Sequence, residues 1–241
     1  MTESSSDRAI AIVGVGSILP DAPDVSSFWS NLKEGRYSIS DVTDRWDEGL
    51  YYDTDRRAPD KTYSKIGGWV RDYEWDPMKW RMPIPPKVGE VMDPAQKWAV
   101  AASREALLDF GYPERPIDRE RTAVIMGNAL GGDFHLRSAA RILFPEVGDV
   151  LTKAPSFQAL PEDVRSAVME ELVAGVRNRI PNITVDTMPG ELGNIVAGRV
   201  AALYDLKGPN YIADAACASA MAAMSAAAEG LRQNEYDAVL T

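Results

Sequence analysis

Short apolar runs alternate along the chain with longer segments whose apolar positions recur every third or fourth residue. The first run, AIAIVGVG (Ala9 to Gly16), is continuous and β-rich and ends in glycines. It reads as a buried strand. Asp24 is placed to cap VSSFWSNLKEG, a short helix with Phe28, Trp29 and Leu32 directed inward and Gly35 as its stop. RTAVIMGNALGG, from Arg121, predicts a second buried strand running into a glycine-rich turn. Asn210 to Ala215 predicts a third strand, and DAVLT at the end of the chain starts a fourth.

The helical pattern resumes between these runs. In MDPAQKWAVAASREALLDFG, Asp93 is the cap and Pro94 the first helical residue, and Gln96 is spaced to reach back as in a capping box. Ala95, Trp98, Ala102 and Ala106 fall roughly on one face, and Gly111 ends the helix. Residues 133–180 read as helical, with Val164, Val168, Leu172 and Val176 at every fourth position. Acidic residues Glu162 and Asp163 open that stretch, Arg177 and Arg179 close it as the helix dipole favours, and Pro181 stops it. Leu192, Ile195, Val196, Val200 and Leu203 mark a further helix, whose other side (Gly193, Ala197, Gly198, Ala201) is very small. The helix from Cys217 to about Arg232 is almost all Ala, Ser and Met. Two small-faced helices can pack backbone to backbone inside a layered protein. Strands alternating with helices predict an α/β sheet with helices on its faces. Residues 36–91 break the pattern. They are rich in Trp, Tyr, Asp, Pro and Gly, hold no period, and predict a surface excursion pinned by its aromatics.

Composition narrows the classes. The 241 residues are 45% hydrophobic and 26% charged, as in a folded globular protein. A net charge of -10 argues against nucleic acid as the main partner, since phosphate neutralisation needs a basic face. A single cysteine excludes an internal disulfide and a cysteine-based zinc cluster. The N-terminus lacks the basic start and cleavage site of a signal peptide, and no apolar run reaches membrane-spanning length. A cytoplasmic enzyme is the expectation. The strand at the chain's end predicts that the polypeptide continues.

That cysteine, Cys217, lies in GPNYIADAACASAMAAMSAAAEG, where a predicted strand meets a predicted helix. Free N–H groups and the helix dipole favour an anionic sulfur at such a place. The sulfur could attack an ester or thioester, and adjacent amides could hold the oxyanion. The same residue also suits a small buried hydrophobe. Other candidates read as structural. GVGSILP lacks the third glycine of a dinucleotide fingerprint and reads as a turn. His135, the only histidine, reads as a surface or satisfied residue. Met221 and Met224 read as core packing, and Asp53, Asp55 and Asp60 as a solvated loop; no metal site is expected.

The residues around Cys217 (Asp214-Ala215-Ala216-Cys217-Ala218-Ser219) resemble the Asp-Thr-Ala-Cys-Ser-Ser active-site segment of the β-ketoacyl synthases. IAIVGVGSILPDAPDVSSFWSNLKEG is similar to that family's opening strand and helix. VMDPAQKWAVAASREALLDFGY resembles its Met-Asp-Pro-Gln helix, and GNIVAGRVAALYDLKGPN the segment before its nucleophile. YYDTDRRAPDKTYSKIGGWVRDYEWDP and DTMPGELGNIVAGR resemble the ketosynthase domains of polyunsaturated-fatty-acid synthases and iterative polyketide synthases. The resemblance implies a thiolase-like layered α/β fold, a mixed sheet flanked by helices with a buried nucleophile helix, normally in a homodimer. Residues 1–241 would be the N-terminal half of the domain. A loop insertion would span about 36–91 and a helical insertion about 133–183, and the C-terminal half would lie beyond this chain.

By the same resemblance Cys217 is the nucleophile and its backbone N–H an oxyanion donor. It takes an acyl group from a phosphopantetheine thioester. Malonyl-acyl carrier protein then loses CO2 and attacks, giving a β-ketoacyl product. Thr187, Met188 and Gly190 are placed near the acyl pocket or a dimer contact. No cofactor is expected on the chain itself. The implied partners are an acyl carrier protein, an acyltransferase and other domains of a multidomain synthase. Ala215 and Ala218 replace the family's usual Thr and Ser. The family's two catalytic histidines lie in segments absent here, and His135 matches neither, so the chain alone is expected to be inactive. Two alternatives stay open: a thiolase-type coenzyme A enzyme, and a non-catalytic dimerising or chain-length subunit.

Overall fold

The computed structural model describes residues 9–42, 44–129, 132–180 and 182–241, which form two compact units. The polar start of the chain, the turn at Leu130 and Gly131, and the stop expected at Pro181 lie outside the described residues. In chain order the elements are α1 (Val25–Glu34), β1 (Ser40–Asp41), α2 (Glu48–Tyr51), β2 (Ile66–Gly67), α3 (Pro86–Glu90), α4 (Pro94–Phe110), β3 (Thr122–Gly127), α5 (Gly132–Lys153), α6 (Pro155–Gln158), α7 (Glu162–Arg179), α8 (Thr187–Glu191), α9 (Asn194–Tyr204), β4 (Asn210–Ala213), α10 (Ser219–Arg232) and β5 (Ala238–Leu240). Among the described residues no helix is long and apolar enough to cross a membrane.

The larger unit holds, among the described residues, 9–10, 77–100 and 118–241. Its sheet is wholly parallel, in the order β4-β3-β5, with Ile125 paired to Tyr211 and Ala123 to Val239. Central β3 is covered on both faces, which is why it reads as an unbroken apolar run. Strand alternation sends Ala123 and Ile125 to one face, where they pack with Ala223 and Ala227 of α10 and with Tyr236. Val124 faces the other way, on the side crossed by α9, whose Val196, Ala197, Val200 and Ala201 are buried. Burying Val124 and Ile125 completely contributes roughly 2 kcal/mol each. The small face of α10 therefore meets the sheet, its first residues close against the backbone of β3 at Gly127, while α9 buries Val196 and Val200 beside Ala197 and Ala201. The Tyr236 hydroxyl lies over Gly230 and donates to the Ala226 carbonyl at 3.1 Å, so it is buried with a partner.

Residues 132–180 are helical as expected, in three pieces, α5, α6 and α7. Ser138 and Gly148 are the buried residues of α5, and Arg141 donates to the Ile180 carbonyl and to Asn182 Oδ1. The valine stripe of α7 lies at the surface rather than in a core: the helix has no buried residue.

The smaller unit holds residues 11–76 and 101–117. Here the sequence expectation fails at its first element. The run from Ala9 to Gly16 forms no strand, and Ile12 and Val13 are 79% and 53% exposed. Its backbone is held by a helix instead. Val15 N–H donates to Asp109 Oδ2 at 2.9 Å and Ser17 N–H to Glu105 Oε2 at 2.8 Å. Gly14 and Gly16 let the segment lie flat on α4; a Cβ at Gly16 would stand 2.7 Å from the Ala106 nitrogen. The caps of α1 are as expected: Asp24 accepts from Ser27 N–H at 2.7 Å, and Gly35 is left-handed at φ 66. Phe28, Trp29 and Leu32 are not buried, however. Trp29 is solvated, and Phe28 and Leu32 line a shallow hollow with Leu19, Pro20 and Ile39.

The excursion over 36–91 carries only short elements, with β1 and β2 paired antiparallel. Aromatic side chains pin it. Trp69 Nε1–H donates to the Ser40 carbonyl at 2.8 Å, Trp46 and Tyr51 meet edge to face, and the Arg56 guanidinium lies over Tyr63. Asp53 and Asp55 accept from the backbone N–H groups of Asp55 and Arg57 and so shape turns.

Candidate active site

Strand β4 ends at Ala213, and the chain then makes a tight 3-10 turn over Ala216–Ala218 before α10 begins. Cys217 sits in that turn and is exposed. Ala216, just before it, has φ 50, a left-handed conformation that costs an alanine about 1–2 kcal/mol. Side chains hold the turn in this state. Asp214 Oδ1 accepts from Ala216 N–H at 3.0 Å. The Ser219 hydroxyl accepts from Ala215 N–H at 2.9 Å and donates to the Ala216 carbonyl at 2.7 Å, closing the loop from 215 to 219. The Cys217 N–H makes no hydrogen bond to the described residues. The sulfur is thus neither mid-helix nor walled off.

The turn rests on the sheet through a glycine. Gly127 ends β3, and a Cβ there would stand 2.5 Å from the Ala220 nitrogen and 2.6 Å from the Ser219 carbonyl oxygen. Both contacts are backbone, so only glycine lets α10 start this close to the strand. The roles of Ser219 and Gly127 escaped sequence reasoning. The signal was a serine two residues after the cysteine, at the helix start, where a hydroxyl can bond locally to backbone. Met221 and Met224 correct the core expectation: they are 63% and 47% exposed, because the sheet-facing side of α10 is taken by Ser219, Ala223, Ala227 and Gly230.

Thr187, Met188 and Gly190 all lie in α8. Thr187 is buried, its hydroxyl accepting from Thr184 N–H at 2.9 Å. Gly190 is buried with its carbonyl accepting from Asp93 N–H at 2.8 Å, while Met188 is exposed. That same bond displaces the predicted capping box on α4. Asp93 does cap, accepting from Ala95 N–H at 2.8 Å, but its own N–H is already engaged by Gly190. Gln96 turns inward instead. It donates to the Pro189 carbonyl at 2.9 Å and accepts from Arg199 Nε–H at 2.8 Å. Loss of hydration lowers the Arg199 pKa, and the charge of Asp186 opposes that shift. His135 is half exposed at the start of α5, with Nδ1 3.7 Å from the buried Glu191 carboxylate. Asp93 also accepts from Phe134 N–H at 3.1 Å, so one carboxylate caps both α4 and α5. The segment after α8 reaches the sheet where Gly193 lies beside the Asn128 side chain, and Asn128 N–H donates to the Ala213 carbonyl at 3.2 Å. This is the carboxyl end of the parallel strands, where open α/β sheets bind their ligands and where Cys217 emerges.

A parallel sheet between helix layers, with an exposed cysteine at the head of a small-faced helix, defines a thiolase-like layered fold. Residues 7–241 match the family model described as "Beta-ketoacyl synthase, N-terminal domain", and the chain belongs to that family. It is 29% identical to a polyunsaturated fatty acid synthase polypeptide of Thraustochytrium sp., over 98% of this chain and 8% of that protein. It is also 29% identical to the polyketide synthase PksL of Bacillus subtilis, over 95% of this chain and 4% of that one. Among solved structures, the oxazolomycin ketosynthase domain OzmH KS7 of Streptomyces albus superposes with a TM-score of 0.69 at 29% identity, over 95% of this chain and 33% of that chain. The ketosynthase from module 6 of the Bacillus subtilis bacillaene synthase gives 0.62 at 25% identity, over 95% and 30%. The chain therefore spans a small fraction of its relatives and about a third of the solved chains.

Proposed function

We propose that this chain is the nucleophile-bearing part of a condensing domain in a polyunsaturated-fatty-acid or polyketide type synthase, with Cys217 as the acyl acceptor. The observation that carries the reading is the exposed Cys217 at the carboxyl end of β4, in a clasped turn ahead of α10. The Cys217 thiolate attacks the carbonyl carbon of an acyl thioester. A C–S bond forms, and the tetrahedral oxyanion is received by the Cys217 N–H and the partly positive start of α10. Collapse expels the carrier thiolate, which takes up a proton and leaves acyl-Cys217. A malonyl thioester then loses CO2, its carbanion attacks the acyl carbon, and the cysteine thiolate is released with a β-ketoacyl thioester as product. Losing one oxyanion donor from such a site costs about 3 kcal/mol.

The relatives matched are a polyunsaturated fatty acid synthase subunit and a polyketide synthase, each many times the length of this chain, which supports a phosphopantetheine-borne substrate over a free coenzyme A thioester. An acyl carrier protein, an acyltransferase and further synthase domains, arranged in a homodimer, are the partners this reading implies. The test is mass spectrometry of the complete synthase polypeptide after incubation with an acyl-carrier-protein thioester or with cerulenin. The expected mass increase maps to Cys217 and is lost in Cys217→Ala. A folded protein whose Cys217 stays unmodified would sink the proposal.

A further inference from the structure

We infer that Asp214 is a positioning residue for acyl transfer, acting through one acceptor oxygen that fixes the backbone just before Cys217; the inference rests on the condensing-enzyme reading above. The backbone donors of this turn can be followed one by one. Ala215 N–H donates to the Ser219 hydroxyl at 2.9 Å and Ala216 N–H to Asp214 Oδ1 at 3.0 Å. Ala218 N–H donates to the Ala215 carbonyl at 3.0 Å, and Ser219 N–H to the Ala216 carbonyl. Over residues 215–219, Cys217 N–H alone has no partner among the described residues. Ala216 is exposed, so its N–H, once released by Asp214, would stand open to a ligand. Asp214 therefore decides whether the turn offers an acyl carbonyl one free N–H or two.

The backbone conformation gives this bond its second task. Ala216 stands at φ 50, and Ala215 before it at φ -136 and ψ 36. The left-handed state costs an alanine about 1–2 kcal/mol, so it persists only under restraint. Ser219 restrains the turn from the helix side, at the Ala215 N–H and the Ala216 carbonyl. It does not touch the Ala216 N–H. Asp214 holds that group from the strand side, in the manner of an aspartate or asparagine that bonds the N–H two residues on. The useful property is the acceptor oxygen and not the charge. A carboxylate in the same tight turn as an attacking thiolate repels it, whereas the oxygen removes an N–H that would compete with that of Cys217 for the acyl oxygen.

The experiment measures kcat/KM for acylation of Cys217 by a hexanoyl pantetheine thioester in the complete synthase polypeptide. The rate of Cys217 alkylation by iodoacetamide is the control. In Asp214→Ala acylation falls by up to about a hundredfold, as for a misplacement on the order of 1 Å, while alkylation keeps the wild-type rate. Asp214→Asn keeps the acceptor oxygen without the charge and stays within about threefold of wild type, and it decides the matter alone should Asp214→Ala fail to fold. Adding Ala216→Gly to Asp214→Ala lifts the cost of the left-handed backbone and recovers about tenfold. Wild-type acylation in Asp214→Ala, an Asp214→Asn variant as slow as the alanine one, or acylation and alkylation that fall together overturns the inference while the condensing reading stands. A wild type that is alkylated but takes no acyl group from the thioester overturns both.

Discussion

Ser219→Ala isolates the clasp that holds the Cys217 turn. The hydroxyl makes two hydrogen bonds, to Ala215 N–H and to the Ala216 carbonyl. Ser219 itself is buried, but Ala215 and Ala216 are exposed, so water can replace both bonds once the hydroxyl is gone. The lower end of the range therefore applies, about 0.5–1 kcal/mol per bond. Alanine is the better helix former by a few tenths of a kcal/mol, which offsets part of the loss. Net destabilisation of about 1 kcal/mol follows, read as a lower urea midpoint at unchanged slope. The effect on chemistry is larger. Ala216 is held at φ 50 against a cost of about 1–2 kcal/mol, and without the clasp it relaxes toward right-handed backbone. Cys217 moves with it. A misplacement on the order of 1 Å lowers the acylation rate by up to about a hundredfold, while alkylation by a small reagent keeps its rate. A variant that keeps both its urea midpoint and its acylation rate would show that the hydroxyl does not hold the turn.

Three further substitutions test the packing and the helix caps. Gly127→Ala forces a methyl group against the Ser219 and Ala220 backbone and is expected to cost about 3 kcal/mol with loss of acylation. Gly175→Ala in α7, where a Cβ meets nothing, should instead gain about 1 kcal/mol, and equal effects of the two in denaturant melts would contradict the packing described. Asp24→Ala removes the α1 cap and costs about 1 kcal/mol near pH 7. The Asp24 pKa is lowered, first by the Ser27 backbone bond and then by the Ser27 side chain. A lowered folded-state pKa gives stability that is present above the unfolded value, roughly 3.9, and is lost as pH falls through the folded one. The gap between wild type and variant should therefore close in acid, and a gap of constant size down to roughly pH 2 would refute the cap.

β3 was legible because its burial is two-sided and it falls where an unbroken apolar run stands, whereas β4, with Asn210 and Tyr211 exposed, was legible from the short apolar stretch between Gly208 and the alanine-rich helix. Ala9 to Gly16 carries the same signal and was misread. Its glycines serve close approach to α4, and the acceptors for its backbone are carboxylates about ninety positions away, which periodicity cannot register. Cys217 was legible from the order of strand, cysteine and small-residue helix. The clasp beneath it was not, because Ser219 in a run of Ala and Ser looks like one more small residue until the turn brings it to the Ala216 carbonyl. Gln96 failed in the opposite way. A local rule assigned its side chain to the Asp93 N–H, and a distant carbonyl, that of Gly190, had already taken that donor. Met221 and Met224 have the hydrophobicity of core residues, but the buried positions of α10 are taken by Ser219, Ala223, Ala227 and Gly230, with Leu231 packing at the far end of the helix.

The short distance between α10 and the sheet is the physical reason Cys217 is placed by the sheet beneath its turn. Ala223 and Ala227 meet Ala123 and Ile125 with no long side chain between helix and strand, and Gly127 removes the last obstacle at the helix start. Each contact shortens the lever between β3 and Cys217, so a shift of the strand is transmitted to the sulfur almost undiminished. Interiors packed at this density resist small displacements, because a helix cannot slide without losing many contacts at once. The carboxyl ends of β3 and β4 are in turn joined to the α8 segment through Asn128 and Gly193. The strand pair therefore serves as the common reference for the sulfur and for the segment that follows α8. A substitution that swells the inner face of α10, such as Ala223→Val, is felt at the sulfur, whereas one that loosens Gln96 is felt at α8.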